Sequence, residues 1–235
     1  MKKQSLALIL FGLLACVSPA HASVVLLSGG DLGEGLTLIP ANVVAARHVR
    51  DLNPTLQGVA FPTNSGLIIF SASGGGFLYP TAYVANSNTS NDLALNSLMN
   101  TAIFGNASNL IVTVSGLNAG QSYVTNLLLT EYAGPGAGQR DLNFSYNGGT
   151  AIDAFRTGSA PLGYNVQNNA VANNFGIITI AINSPGEYID NVFTTGNFPV
   201  LSAVIVSSVP EPSSFALLAI GGVFTAFIRG RRGRK

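Results

Sequence analysis

The chain has 235 residues, of which only 9% are charged, with 27 glycines, one cysteine and a formal net charge of +1. That charge hides two unlike parts: the lysines and half of the arginines crowd the ends, while residues 23–208 hold Arg47, Arg50, Arg140 and Arg156 against nine carboxylates, a net of −5. Such a body has no basic patch to hold phosphates, which argues against nucleic acid as a partner, and without a cysteine it has no disulfides and no thiol chemistry.

At the front, Lys2 and Lys3 precede an apolar run over residues 6–17, followed by Pro19-Ala20-His21-Ala22. A basic start, an apolar centre and a small-residue site make residues 1–22 a signal peptide, cut by signal peptidase between Ala22 and Ser23. Leu13-Leu14-Ala15-Cys16 also fits a lipoprotein site, which would place a lipid on Cys16; the Ala20-His21-Ala22 site is the stronger of the two.

Residues 23–208 suffice for one domain with a real core. Their apolar runs are short, rich in Val, Ile, Leu, Tyr and Phe, and divided by Gly, Asn, Ser and Pro, which is the all-β pattern. Strands are predicted over residues 23–27, 42–49, 56–61, 66–71 and 77–84, with a turn at Asn53-Pro54. A polar linker covers residues 86–91. One helix is predicted over residues 92–100, capped by Asp92, with Leu93, Leu95, Leu98 and Met99 on its apolar side. Strands follow over residues 109–115, 122–131 and 140–146, the last alternating Leu142, Phe144 and Tyr146 with Asp141, Asn143 and Ser145. Asn147-Gly148 is a hairpin turn, and the chain returns over residues 151–155. Residues 168–174 read as polar linker. Strands over residues 175–182 and 187–193 flank a turn at Ser184-Pro185-Gly186, and residues 199–207 close the domain. The sum is an antiparallel two-sheet β-sandwich, jelly-roll-like, with one short helix.

Few residues carry chemistry. His48 stands alone in a strand, without a Gly-x-Ser-x-Gly elbow or metal-binding partners, and reads as a strand-edge histidine. Asp31 and Glu34 lie among glycines and could hold Ca²⁺, but two carboxylates without loop spacing read more simply as a glycine-permitted turn. The glycine run at residues 134–138 lacks a following lysine and is no phosphate loop. Glu131, Asp141 and Asp153 could supply a carboxylate pair for glycoside hydrolysis. Tyr132, Tyr146 and Tyr164, with Arg140, could form a sugar platform, since an aromatic face stacks on a pyranose ring; the alternative is half-buried strand residues with solvated hydroxyls. Tyr132, Arg140 and Tyr146 are the candidate ligand-binding residues. No cofactor or metal is expected.

The runs Val-Ser-Gly-Leu-Asn-Ala-Gly-Gln-Ser-Tyr-Val-Thr-Asn-Leu-Leu-Leu-Thr-Glu-Tyr (114–132), Arg-Asp-Leu-Asn-Phe-Ser-Tyr-Asn-Gly (140–148) and Pro-Val-Leu-Ser-Ala-Val-Ile-Val (199–206), with Asp153, resemble a malectin-like or galactose-binding-like sandwich. The resemblance covers about half of the body. It implies a β-sandwich and motivates a carbohydrate-binding module as one reading of its function.

The tail, residues 209–235, has three parts. Pro210 and Pro212 flank Glu211, and each proline fixes its own φ and keeps the residue before it extended. Residues 213–228 are apolar and uncharged, and Arg229, Arg231, Arg232, Arg234 and Lys235 end the chain. As a helix, these 16 apolar residues would span roughly 24 Å at about 1.5 Å per residue, short of a hydrocarbon core of about 30 Å. Flanking arginines must snorkel, and the basic end stays cytoplasmic. The order Val-Pro-Glu-Pro-Ser, apolar helix, arginine-rich terminus resembles the PEP-CTERM sorting signal of Gram-negative bacteria. That resemblance implies that Pro210, Glu211 and Pro212 are recognised by an exosortase, which removes the tail. The chain then reads as three units: signal peptide 1–22, β-sandwich 23–208 and sorting signal 209–235 with a transmembrane helix over 213–228. It implies a non-enzymatic protein exported across the inner membrane, held there transiently and passed to the cell surface or extracellular matrix, in association with exopolysaccharide. A carbohydrate-binding module and a glycoside hydrolase are the alternatives.

Overall fold

The computed structural model describes residues 23–27, 39–62, 64–72, 76–81, 89–105, 109–130, 139–157, 163–189, 192–195 and 199–209. The predicted signal peptide and the helix over residues 213–228 lie outside them. No helix among the described residues is long and apolar enough to cross a membrane.

The strands in chain order are β1 (Ser23–Leu27), β2 (Val43–His48), β3 (Thr55–Leu56), β4 (Val59–Ala60), β5 (Ile68–Ala72) and β6 (Gly76–Pro80). Helix α1 (Ser90–Met99) follows, then β7 (Thr101–Gly105), β8 (Leu110–Val114), β9 (Ser122–Thr130), β10 (Gln139–Tyr146) and β11 (Ile152–Arg156). The last strands are β12 (Gly163–Val171), β13 (Ile178–Ile189), β14 (Val192–Thr195), β15 (Val200–Leu201) and β16 (Ala203–Ser208). They form a five-stranded sheet in the order β1-β12-β9-β16-β2 and a six-stranded one in the order β11-β10-β13-β8-β5, with β14 beside the far end of β13. Two small sheets, β15-β7-β6 and β3-β4, complete the set. All described ladders are antiparallel.

The two large sheets face each other. Leu127, Val166 and Val204 of the first share one core with Val112, Phe144 and Ile180 of the second. The side chains of both inner faces interdigitate, as two packed sheets require. The first sheet is also covered on its other side, where Ala94, Leu95, Leu98 and Met99 of α1 pack with Leu27, Ala46, Leu128, Ala203 and Ile205. Strand β9 therefore sends Leu127 and Leu129 to the sandwich core and Leu128 to the helix. The predicted helix is real and covers this sheet face, and its cap is different. Thr89 is the N-cap: its hydroxyl accepts from Asp92 N at 3.2 Å and donates to Asp92 Oδ2 at 2.5 Å. Asp92 is the reciprocal partner three residues on, near the positive end of the helix. Leu93, expected on the apolar side, is 58% exposed.

Several other expectations change. Residues 163–171 form a complete strand of the first sheet, hydrogen-bonded to both β1 and β9, although part of this run reads as polar linker. Its inward positions Tyr164, Val166 and Ala170 are apolar core, with the buried Asn168 on the same face beside Tyr146. Residues 56–61 are not one strand: Gln57 and Gly58 take positive φ and fold the segment into the β3–β4 hairpin. The chain does not turn at Pro185-Gly186. Strand β13 runs through them by a β-bulge, since its pairing with β10 moves from Asn143↔Asn183 to Asp141↔Gly186. Two steps on β10 thus face three on β13, and a proline is tolerated where the ladder is locally broken.

The end of the sandwich where β8, β10, β12, β13 and β16 begin or finish is tied together by its turns. Gly120 N donates to Ala172 O at 2.9 Å, and Leu117 N to Gly176 O at 3.0 Å. Gly176 has φ +69°, and a Cβ there would lie 2.1 Å from Leu117 O. Gly120 also has positive φ, at +74°, but open space around it. Left-handed backbone costs a residue with a side chain about 1–2 kcal/mol. Gly120→Ala should therefore lower stability by about that amount, and Gly176→Ala by clearly more, because backbone must move as well. Thermal denaturation of the two variants checks the order; equal losses would show that the Leu117 contact yields freely.

Candidate functional site

The site is built on the outer face of the six-stranded sheet by two bulges at one level. On β10, Leu142 and Phe144 point into the core, so Asp141 points out. The pairing with β11 slips between Leu142 and Asn143, which places Arg156 directly opposite Asp141. The β13 bulge brings Gly186 opposite Asp141 on the other side and Tyr188 opposite Gln139. Strand β14 then sets Phe193 opposite Tyr188. Residues directly opposite in a ladder share a face, so Asp141, Arg156, Tyr188 and Phe193 form one surface.

Their side chains interlock. Arg156 Nε donates to Asp141 Oδ1 at 2.8 Å and Nη2 to Oδ2 at 3.3 Å, a two-point pair. The same Nη2 donates to Tyr188 Oη at 2.8 Å. The guanidinium carbon lies 3.8 Å from the centroid of the Tyr188 ring, within cation–π range. Tyr188 and Phe193 meet with centroids 4.9 Å apart and planes at 49°. The Phe193 ring lies over Gly186: a Cβ there would fall 2.3 Å from its Cε2 and Cζ atoms. The glycine provides the seat for the ring. The Asp141 carboxylate, followed by Tyr188, holds the Arg156 guanidinium above its ordinary, already high pKa. Phe193 nevertheless stays 45% exposed and the Arg156 side chain 48%. The surface offers an aromatic plane, guanidinium donors and carboxylate acceptors side by side. Vicinal hydroxyls on a ring with apolar C–H faces are a matching ligand, since they need donors, acceptors and a flat apolar surface together.

Of the predicted trio, Arg140 and Tyr146 lie off this surface. Arg140 is 2% exposed and faces inward, and its backbone N–H donates to Thr157 Oγ1 at 2.7 Å. Tyr146, at the other end of β10, packs against the sandwich core. Burial raises the pKa of its phenol, opposed by Thr125 and Asn168, and Thr125 Oγ1 donates to its oxygen at 3.4 Å. Six residues of strand separate the two by roughly 20 Å. Tyr132 and Glu131 lie outside the described residues, as do Asp31, Glu34, Ala22 and the glycine run at residues 134–138. Tyr164 is core. Asp153 sits across from Asn143 on β11. Among the described residues no cluster of three or more His, Cys, Asp or Glu could hold a metal. Arg156, Tyr188 and Phe193 had no motif to mark them.

His48 is not a strand-edge residue in contact with water. Its strand is at the sheet edge, but the side chain is fully buried. Nδ1 accepts from Arg50 N at 3.0 Å, and Nε2 faces the Leu98 carbonyl of α1 without meeting hydrogen-bond geometry. Burial lowers its pKa to about 4, with the Leu98 carbonyl opposing, Arg50 adding to the shift and Asp51 opposing.

Strand β16 ends at Ser208, and Val209 N still donates to Ser122 O at 3.3 Å. Pro210-Glu211-Pro212 follows at once. Residues 208–232 match the family model described as the PEP-CTERM protein-sorting motif. The chain carries a PEP-CTERM sorting motif. No curated protein matches the chain. In fold it is similar to the plant receptor-like kinase ANX2, at 12% identity and a TM-score of 0.53 over 72% of this chain and 49% of that one. It is likewise similar to the ANX1 ectodomain from Arabidopsis thaliana, at 14% identity and a TM-score of 0.53 over 72% and 49%. The chain thus spans about half the length of these structures. They agree with the malectin-like resemblance at the level of fold. A CBM22-1 xylan-binding domain from Paenibacillus barcinonensis matches at 11% identity and a TM-score of 0.41, over 73% and 97%, which bears on neither fold nor ligand. The PEP-CTERM motif thus follows β16 without an intervening linker.

The buried histidine gives a pH test. In the unfolded chain it titrates near about 6.5 and in the folded one near about 4, so unfolded molecules bind the proton first. Stability should fall as pH drops through that window, by roughly 3 kcal/mol in all at about 1.4 kcal/mol per unit. His48→Asn keeps an acceptor for Arg50 N and should flatten this slope. Urea midpoints at about pH 7.5 and about pH 4.5 compare the two proteins; parallel losses would show that His48 takes no part.

Proposed function

We propose that this chain is an exported, non-enzymatic surface protein, sorted by an exosortase, whose β-sandwich binds polysaccharide through Asp141, Arg156, Tyr188 and Phe193. The PEP-CTERM motif at residues 208–232 supports the export and sorting. The observation that supports the binding is the exposed Phe193–Tyr188–Arg156–Asp141 surface. In this reading residues 1–22 are removed by signal peptidase at Ala22–Ser23, residues 23–208 are a jelly-roll-like domain, and residues 209–235 are the sorting signal. The apolar stretch 213–228 holds the precursor in the membrane of a Gram-negative cell until the exosortase, recognising Pro210, Glu211 and Pro212, releases the domain to the surface or matrix.

A hydrolase would need an acid and a base set at opposite sides of a bond. Asp141 instead is tied to Arg156 by two hydrogen bonds, a pairing suited to holding sugar hydroxyls. Neutral polysaccharides fit best, because the body carries a net of −5 and would repel polyanions. The reading is tested on a glycan array with the purified body. Phe193→Ala and Arg156→Ala should each weaken binding by about tenfold, near the 1.4 kcal/mol scale of one well-made contact. Tyr146→Ala, behind the sheet, should leave the glycan preference unchanged. Loss of binding with Tyr146→Ala alone would return the site to the other end of β10.

Sorting has its own test. Glu211→Ala should leave full-length precursor in the membrane fraction and remove the shortened form from the medium, as read by immunoblot. Unchanged processing would reduce the tail to a plain anchor.

A further inference from the structure

The two ends of the sandwich differ in charge. The described connections at the end where β16 leaves, residues 40–42, 64–67, 115–121, 147–151, 172–177 and 208–209, contain no Asp, Glu, Lys or Arg. Arg140, Asp141, Arg156 and Glu187 lie toward the other end, by the register of β10, β11 and β13. Asp153 stands midway on β11, and the Arg47–Asp51 ion pair flanks the edge of the sandwich, where Arg47 donates to Ile68 O. The uncharged end also exposes apolar side chains. Val171 closes β12 and is 51% exposed, and Phe175 in the β12–β13 connection is 85% exposed. This connection is braced: Asn173 Oδ1 accepts from Phe175 N at 2.9 Å and Ile177 N at 3.0 Å, and Gly176 N donates to Asn173 O at 2.9 Å. An aromatic ring is thus presented to solvent on a turn fixed by its own hydrogen bonds and by Gly176 against Leu117.

The tail leaves beside it. Val209 is bonded to Ser122, and Ser122 pairs with Val171 on its other side. Val209 and Val171 are therefore about two strand spacings, roughly 10 Å, apart. The sorting motif starts at residue 208, so only Pro210-Glu211-Pro212 separates this end of the domain from the apolar stretch. We propose that this end of the sandwich rests on the membrane while the tail holds the precursor there, with Phe175 set into the lipid interface and the polysaccharide surface turned outward. The proposal depends on the membrane hold described under Proposed function. Turns without charged residues lose no ion hydration of their own on approaching lipid, and aromatic rings settle at the interface, where an apolar face reaches about 5–10 Å into the headgroup boundary.

The chain contains no tryptophan, which makes a direct test simple. Full-length precursor carrying Phe175→Trp is reconstituted in vesicles of phosphatidylethanolamine and phosphatidylglycerol. The 85% exposure of Phe175 means the change disturbs no packing. A second protein carries Val192→Trp, at the opposite end and 65% exposed. The Phe175→Trp probe should emit at shorter wavelength than the Val192→Trp probe and be quenched by lipids brominated in their acyl chains. The Val192→Trp probe should respond to aqueous iodide alone. Flotation with the vesicles and free iodide access to the Phe175→Trp probe would overturn the proposal while leaving the anchor intact. A protein that does not float overturns both. A blue shift that grows with protein density, without quenching by brominated lipid, would mean that a second copy covers this end, and would also overturn the proposal.

Discussion

Double burial of the five-stranded sheet governs the domain: the second sheet packs on one face and α1 on the other. A strand buried on both sides cannot alternate apolar with polar. Val204-Ile205-Val206 in β16 and Leu127-Leu128-Leu129 in β9 are continuous apolar runs for this reason, and all six residues are fully buried. The same constraint makes polar residues on this sheet costly. Thr130 and Ser202 hydroxyls pair at 2.9 Å, and Asn165 Nδ2 donates to Asn126 Oδ1 at 3.2 Å. Among the described residues, Asn126 Nδ2, Asn165 Oδ1 and Ser207 Oγ find no hydrogen-bond partner, at about 1–3 kcal/mol each. His48 belongs to the same layer, and its depressed pKa is the electrostatic form of the same cost.

Much of the fold was legible where one periodicity dominated. Leu142, Phe144 and Tyr146 alternate, and β10 runs as expected. The helix was marked by Leu95, Leu98 and Met99. What failed had a physical cause each time. Strand β12 is rich in asparagine, and its membership of the sheet rests on tertiary pairing with β1 and β9. Thr89 was hidden as a cap because Asp92, three residues later, is also a good capping residue. The sequence motif at the tail was the most legible part, because it is read as a linear order of residue types.

The candidate site was scarcely legible, for a reason specific to sheets. A shift of one residue turns a strand's side chains to the opposite face. A simple two-residue turn at Asn147-Gly148 would pair Asp141 with Ala154. A one-residue offset beyond the turn and the register shift between Leu142 and Asn143 instead bring Arg156 across from it. Without the bulge at Pro185, Tyr188 would change faces. Asp141 was visible as a carboxylate, but its partners depend on irregularities that no residue pattern fixes. Bulges commonly re-aim side chains in this way, and here two of them gather four side chains from four strands.

The position of β16 also decides how the domain bears a mechanical load. A tether attached to the end of β16 pulls on an interior strand, flanked by β9 and β2. Tension along the strand is shared at once by both antiparallel ladders, so it shears them in parallel rather than peeling one bond after another. A domain hung from an edge strand would unzip from its attachment point. Here the load enters the most deeply packed layer of the fold and is spread across it before any part can give way.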